Sequence, residues 1–324
     1  MATTDQTSSA GFFTLPLAGV IPNALPAVNL YLPAVAHDRP QLYRASDIPV
    51  ADVDIELLRS RGIHELWVIG SERAEVVTFL TANIATILAN EALPSQERLK
   101  LLNQVVSQTL KETLSCDDPA ASVVAAEELA QKMVEFSLRP DLNIRSVASV
   151  AKHDFCTFTH STNVACYSTM LARALGVTDE TELREIATAG MLHDLGKLEI
   201  PVSILAKPGR LTKTEFAIIT AHPTRGFQLL RNELSIGQLL MVYQHHEKMD
   251  GTGYPVGSIG TELHFWARIC AVTDVFEALT GKRPYRRPNS PGDALDIMNR
   301  GSGTHFDAEI LSCWRQHFVK EIDA

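Results

Sequence analysis

No CxxC pair occurs in the chain, and its five cysteines, Cys116, Cys156, Cys166, Cys270 and Cys313, are odd in number and scattered. That usage points away from a disulfide framework or a zinc ribbon and towards a reducing compartment, so the cytoplasm is the expected location. No apolar run reaches the roughly 20 residues that a spanning helix needs. The opening stretch MATTDQTSSAGFF carries no Lys or Arg, and the apolar residues after it are interrupted by Pro16, Pro22, Pro26 and Pro33, unlike a signal peptide. A membrane is therefore not an expected partner. Surplus positive charge is absent too: the formal net charge is -9. A nucleic acid polymer held by bulk electrostatics is excluded as a partner. Any anionic ligand must be met locally, by metal or by a cluster of Lys and Arg.

What is present is ordinary for a globular protein, with 45% hydrophobic and 21% charged residues. A chain of 324 residues accommodates about two domains. Residues 1–71 read as a small α/β module. VNLYL and QLYRA are strand-like, residues 51–61 form a helix with Asp52, Asp54 and Glu56 in its first turns, and HELWVI follows Gly62 as a strand. From Glu72 the apolar residues recur every three or four positions, and residues 72–139 read as a helical connector. Ser115 to Pro119 breaks it, and a further helix spans 120–138 before Pro140. A catalytic domain is expected over 140–324. The fold class is mainly α.

The chemistry lies in the histidines. His160 stands near the start of a helix with the apolar stripe Val164, Tyr167, Leu171 and Leu175. The next helix runs apolar through Leu183, Ile186, Ala187, Gly190 and Met191, then presents His193 and Asp194 side by side. Three more helices end or centre on His222, on the pair His245 and His246, and on Asp274. Taken singly, a helical His is usually a packed or surface residue. Two adjacent imidazoles after an apolar helix are harder to satisfy by packing. His37, His64, His153, His264, His305 and His317 keep the structural reading.

Imidazoles and carboxylates suit iron, manganese, nickel or zinc. Five histidines and two aspartates exceed the needs of one site. Two divalent ions about 3.5–4 Å apart, sharing Asp194, would use the set and would activate water at neutral pH. Phosphoester hydrolysis is the expected reaction class.

HisAspLeuGlyLys (193–197), HisHisGluLysMetAspGlyThrGlyTyrPro (245–255), AlaValThrAspValPheGluAlaLeuThr (271–280) and ArgProTyrArg (283–286) resemble the HD-GYP family of the HD phosphohydrolase superfamily. The likeness spans roughly residues 147–318. It implies an all-α helical-bundle domain with a bimetal or trimetal centre, commonly iron or manganese. The implied activity is hydrolysis of cyclic di-GMP to pGpG and, in some members, on to GMP. The motifs imply metal ligation by His160, His193, Asp194, His222, His245, His246 and Asp274. They place Lys197 beside the scissile phosphate, with a catalytic role alongside Asp194, and Tyr254 in the substrate pocket. Arg283 and Arg286 are implied to grip the substrate phosphates, the local positive charge that an acidic chain requires. Asp250 and Gly251 are expected to fix the GYP loop.

Three-metal members have a glutamate one turn before the first histidine, where this chain has Cys156, so two ions are expected. Lys248 replaces a frequent Arg. Two rival readings remain open: an HD enzyme acting on another nucleotide phosphoester, and a low-turnover cyclic di-GMP-binding module that signals through diguanylate cyclase (GGDEF) domains by its GYP loop. A homodimer is compatible with the amphipathic connector, and the N-terminal module has a regulatory position but no ligand motif.

Overall fold

The computed structural model describes residues 11–33, 40–114, 118–139, 157–205, 207, 209–281 and 287–319. The chain divides into two compact units, residues 1–105 and 106–324.

In the first unit, β1 (Phe12–Pro16), β2 (Leu30–Leu32), β3 (Gln41–Arg44) and β4 (Glu65–Ile69) form an antiparallel sheet in the order β1-β4-β2-β3. Leu15, Leu30, Leu66 and Val68 bury one face by strand alternation. β1 is a finding, because its proline, Pro16, argues against a strand. As an edge strand it ends at Pro16, where a missing N–H costs nothing to the ladder. Helix α1 (Asp52–Ser60) begins where Asp54 Oδ2 accepts the Ala51 N–H at 2.9 Å and pairs with Arg44 at 2.6 Å. Helix α2 (Arg73–Ala89) buries Val76, Leu80, Ile84 and Ile87, the spacing of one apolar face.

Helix α3 (Ser95–Leu114) begins in the first unit and ends in the second. Asp118 caps the next helix, α4 (Pro119–Ser137), accepting from the Ala120 and Ala121 amides at 3.0 and 3.2 Å. The stretch read as one connector is thus divided between the units, and α4 packs on the helix that carries His193.

Among the described residues of the second unit the regular elements are helices, joined by loops that carry two isolated β-bridges, Asp250 with Ile259 and Ser302 with Phe306. The unit comprises α5 (Thr157–Ala174), α6 (Glu180–Leu192), a 3-10 turn (Leu195–Glu199), α7 (Val202–Leu205), α8 (Lys213–Thr220) and α9 (His222–Leu230). It continues with α10 (Ile236–Gln244), α11 (Phe265–Thr280), α12 (Pro291–Asn299) and α13 (Ala308–Val319). The mainly α fold with a small α/β module in front matches the sequence expectation. Two devices position the site. A Cβ on Gly190 would lie 2.8 Å from the Ala165 Cα, so α5 and α6 cross in a contact that only glycine permits and His160 is brought beside His193. Below the site, Tyr167, Phe276 and Trp314 meet edge to face at 5.2–5.7 Å and lock α5, α11 and α13 together.

Candidate metal centre

α6 ends at Leu192, and Asp194 caps the 3-10 turn that follows. That turn lies directly on the start of α9, since a Cβ on Gly196 would be 2.1 Å from the His222 carbonyl oxygen. His222 is thereby held against Asp194. α10 ends just before His245 and His246, and α11 carries Asp274 from the opposite side.

His193, His222 and His245 share one local geometry. Each Nδ1–H donates to the carbonyl three residues earlier, Gly190 at 2.7 Å, Ile219 at 2.8 Å and Val242 at 2.8 Å. A carbonyl can only accept, so a proton sits on Nδ1, and in the neutral ring Nε2 is the atom that presents a lone pair. Those lone pairs converge on Asp194. His222 Nε2 is 3.2 Å and His245 Nε2 3.8 Å from Oδ1, while His193 Nε2 is 3.5 Å and His160 Nε2 3.6 Å from Oδ2. His222 and His245 face each other, Nε2 to Nε2, at 3.2 Å.

Burial lowers the pKa of His193, and it lowers that of His245 well below the usual histidine range with further help from the neighbouring His246, His193 and His222. Both rings are therefore neutral, the ligand form. Burial would raise the Asp194 pKa, but the neighbouring Lys197 ammonium, first among the groups that oppose it, leaves it well below the carboxylate range. Lys197 Nζ is 2.5 Å from Asp194 Oδ2 and remains partly exposed.

His160 differs from the other three. Its Nε2 is 3.1 Å from Asp274 Oδ1, and its Nδ1 meets the carboxylate of Glu277. Burial opposes protonation of His160, but Glu277 and Asp274 outweigh it and push its pKa to about 10. A proton and a cation compete for the same Nε2. His246 packs its ring on Tyr254 at 4.8 Å and turns Nδ1 towards Asp274 Oδ2 at 3.9 Å, with burial lowering its pKa to about 3.

The arrangement fits divalent cations on an internal test. His193 Nε2 and Asp194 Oδ1 are buried and make no hydrogen bond, although donors and acceptors are normally paired in an interior. Two groups have donor atoms within 4.8 Å of one another: Asp194 with His222, His245 and His246, and Asp194 with His160 and His193. Asp274 belongs to neither by that distance and joins through His160 and His246.

The structure brings together His160, His193, Asp194, Lys197, His222, His245, His246, Tyr254 and Asp274. Arg283 and Arg286 lie outside the described residues, as does Cys156. Two residues escaped the sequence reading. Glu277 sits one helical turn after Asp274 and faces the same way, a spacing legible in ThrAspValPheGlu. Glu247 is buried behind the histidine pair and accepts the amides of Val256, Gly257 and Ser258 at 2.7, 3.0 and 3.1 Å, tying down the loop that holds Tyr254. Asp250 Oδ1 accepts from the Thr252 amide at 2.9 Å and its hydroxyl at 2.7 Å, a turn-fixing pattern.

A family model described as HD domain matches residues 145–310. Over 304 residues the chain is 30% identical to the cyclic di-GMP phosphodiesterase PA4108 of Pseudomonas aeruginosa, covering 88% of this chain and 71% of that one. It is 40% identical over 146 residues to the cyclic di-GMP phosphodiesterase response regulator RpfG of Xanthomonas campestris, covering 44% and 38% of the two chains. Against the 3'3'-cGAMP-specific phosphodiesterase 3 of Vibrio cholerae the identity is 37% over 158 residues, with 48% and 34% covered. The chain thus spans less than half the length of the latter two. In fold it is similar to Bd1817, a HDG"Y"P protein from Bdellovibrio bacteriovorus, with a TM-score of 0.65, 19% identity, and 97% and 100% of the chains covered. The chain belongs to the HD domain family. Among its described residues no helix is long and apolar enough to cross a membrane.

Proposed function

We propose that this protein hydrolyses cyclic di-GMP at a binuclear divalent metal centre, giving pGpG and, with a second cut, GMP. The observation that carries the reading is the convergence of four imidazole Nε2 atoms on the buried carboxylate of Asp194 with Lys197 at its edge. His160, His193, Asp194 and Asp274 would hold one ion, and Asp194, His222, His245 and His246 the other. Iron or manganese is what the family resemblance implies, with nickel and zinc suited by the same N/O donor set. Bound there, such ions supply Lewis acidity, lowering the pKa of water and offsetting charge on the phosphoryl oxygens.

The side chains account for the rest. Asp194 anchors the centre from a position closed to bulk water. Lys197 Nζ, partly exposed beside that carboxylate, would neutralise and protonate a leaving 3′ oxygen. Tyr254, whose hydroxyl is kept protonated by burial, offers a ring face beside His246 for a guanine. Arg283 and Arg286 are assigned the substrate phosphates on motif alone. Burial of 3'3'-cGAMP in the same pocket is a second reading, favoured by the match to a phosphodiesterase named for that substrate. Contacts with GGDEF domains through the loop carrying exposed Val256 and Ile259, a homodimer, a regulatory role for the first unit and a cytoplasmic location complete the proposal.

The test is hydrolysis of cyclic di-GMP and of 3'3'-cGAMP by anaerobically purified protein loaded with Fe(II) or Mn(II), beside Asp194→Ala, with products separated by chromatography. Turnover of cyclic di-GMP that vanishes in the variant is the expected result. Preference for 3'3'-cGAMP would shift the substrate. No turnover of either with two ions bound would replace the enzyme by a binding module.

A further inference from the structure

Three of the buried imidazoles give Nδ1–H to a neutral backbone carbonyl, whereas His160 alone among them gives it to a carboxylate. That carboxylate, Glu277, is 6% exposed, lies one turn beyond Asp274 on α11, and also accepts from Asn163 Nδ2 at 3.3 Å. Asn163 itself is one turn beyond His160 on α5, so the two helices clamp the pair. A charged acceptor behind an imidazole makes the distal nitrogen a stronger donor than a carbonyl does and fixes the ring more firmly. The charge about the centre is lopsided in the same direction. Asp194 and Asp274 both face His160, with Asp274 Oδ1 at 3.1 Å and its other oxygen 3.9 Å from His246. His222 and His245 have Asp194 as their carboxylate neighbour.

We propose that Glu277 is a positioning residue that makes the two cation positions unequal, so that the His160 side fills first and the His222–His245 side fills second. The inference rests on the binuclear reading above. Its origin is elementary: Asp274 Oδ1 and Glu277 add two carboxylates about the first position against the single cation of Lys197 at Asp194 Oδ2, whereas the second meets Asp274 only through His246 at 3.9 Å, in an interior that screens charge poorly.

The experiment uses the full chain stripped by a chelator and titrated with Mn(II), free Mn(II) being read by electron paramagnetic resonance and folding by circular dichroism. Two ions binding in two separate steps are expected. Glu277→Gln should weaken the tighter step about 10–100-fold and leave the weaker step in place. His222→Ala should do the converse. Glu277→Asp keeps the charge but withdraws it by one methylene, and it should show a smaller loss in the same step. It decides the matter if the glutamine variant does not fold. Equal weakening of both steps, no change in either variant, a single step in the unaltered chain, or failure to bind two ions would each overturn the proposal. The readout is independent of substrate. Two-step binding without turnover of cyclic di-GMP would remove the function and leave this inference, and single-step binding with normal turnover would do the reverse.

Discussion

Arg98 in the first unit and Asp194 with its histidines in the second are both buried polar groups, settled in opposite ways. Arg98, 1% exposed, spends donors on the Leu88 carbonyl at 2.8 Å and the Leu93 carbonyl at 3.1 Å, closing the end of α2 and the turn before α3. Around Asp194 the buried atoms His193 Nε2 and Asp194 Oδ1 keep lone pairs to which nothing donates. The difference teaches that burial of charge alone does not mark a site. Convergent lone pairs do, because an interior tolerates them only where a ligand completes them.

The largest effect that would test this contrast is that of Asp194→Asn, which keeps the volume and removes the shared donor charge. Bound metal, measured by elemental analysis, and phosphodiesterase turnover should fall by roughly 10²–10³-fold or more. A variant that still held two ions would break the comparison. Gly196→Ala comes next. The new methyl cannot stand 2.1 Å from the His222 oxygen, so the 3-10 turn must lift off α9. Denaturant unfolding should show a loss of up to about 3 kcal/mol, accompanied by weaker metal binding. Arg98→Met sharpens the comparison from the other side. It should cost about 1–2 kcal/mol by leaving two carbonyls short of donors, while metal binding stays unchanged.

The smallest effect concerns α8, which carries Phe216 beside Tyr254 with ring centroids 6.5 Å apart. Glu215 closes its capping box with Thr212 and takes Lys207 Nζ at 2.7 Å, and these bonds depress its pKa from 4.5 to about 2. A depressed carboxyl pKa contributes stability that is fully present above the unfolded value and lost as pH falls through the folded one. The α8 amide signals in a nuclear magnetic resonance titration should therefore hold above pH 4.5 and shift as pH falls towards about 2. A Glu215 carbon signal titrating at its ordinary value would refute the pairing.

Much of this was legible beforehand. The 3.6-residue apolar spacing of α2, α4 and α6 announced helices, and the HisAsp and HisHis pairs stood at helix ends, where a ligand-bearing residue is both held and free to face a cavity. β1 was not legible, because Pro16 argues against a strand until the strand is known to lie at an edge. The spacing of Glu277 from Asp274 is legible, but the burial of Glu277 and Glu247 is not. Each is a charged residue in a helical or loop context that reads as solvated until its neighbours are placed around it.

Residue types and their spacing along the chain determined that helices would carry imidazoles and carboxylates at their ends, and which ions such donors suit. Only the tertiary structure decided which nitrogen of each ring points inward and that Asp194 lies between the others. It also decided that His160 has a carboxylate at its back where His193, His222 and His245 have a backbone carbonyl. Those facts depend on close crossings at Gly190 and Gly196 between segments distant in sequence, and periodicity within a single helix carries no information about what a neighbouring helix presents to it.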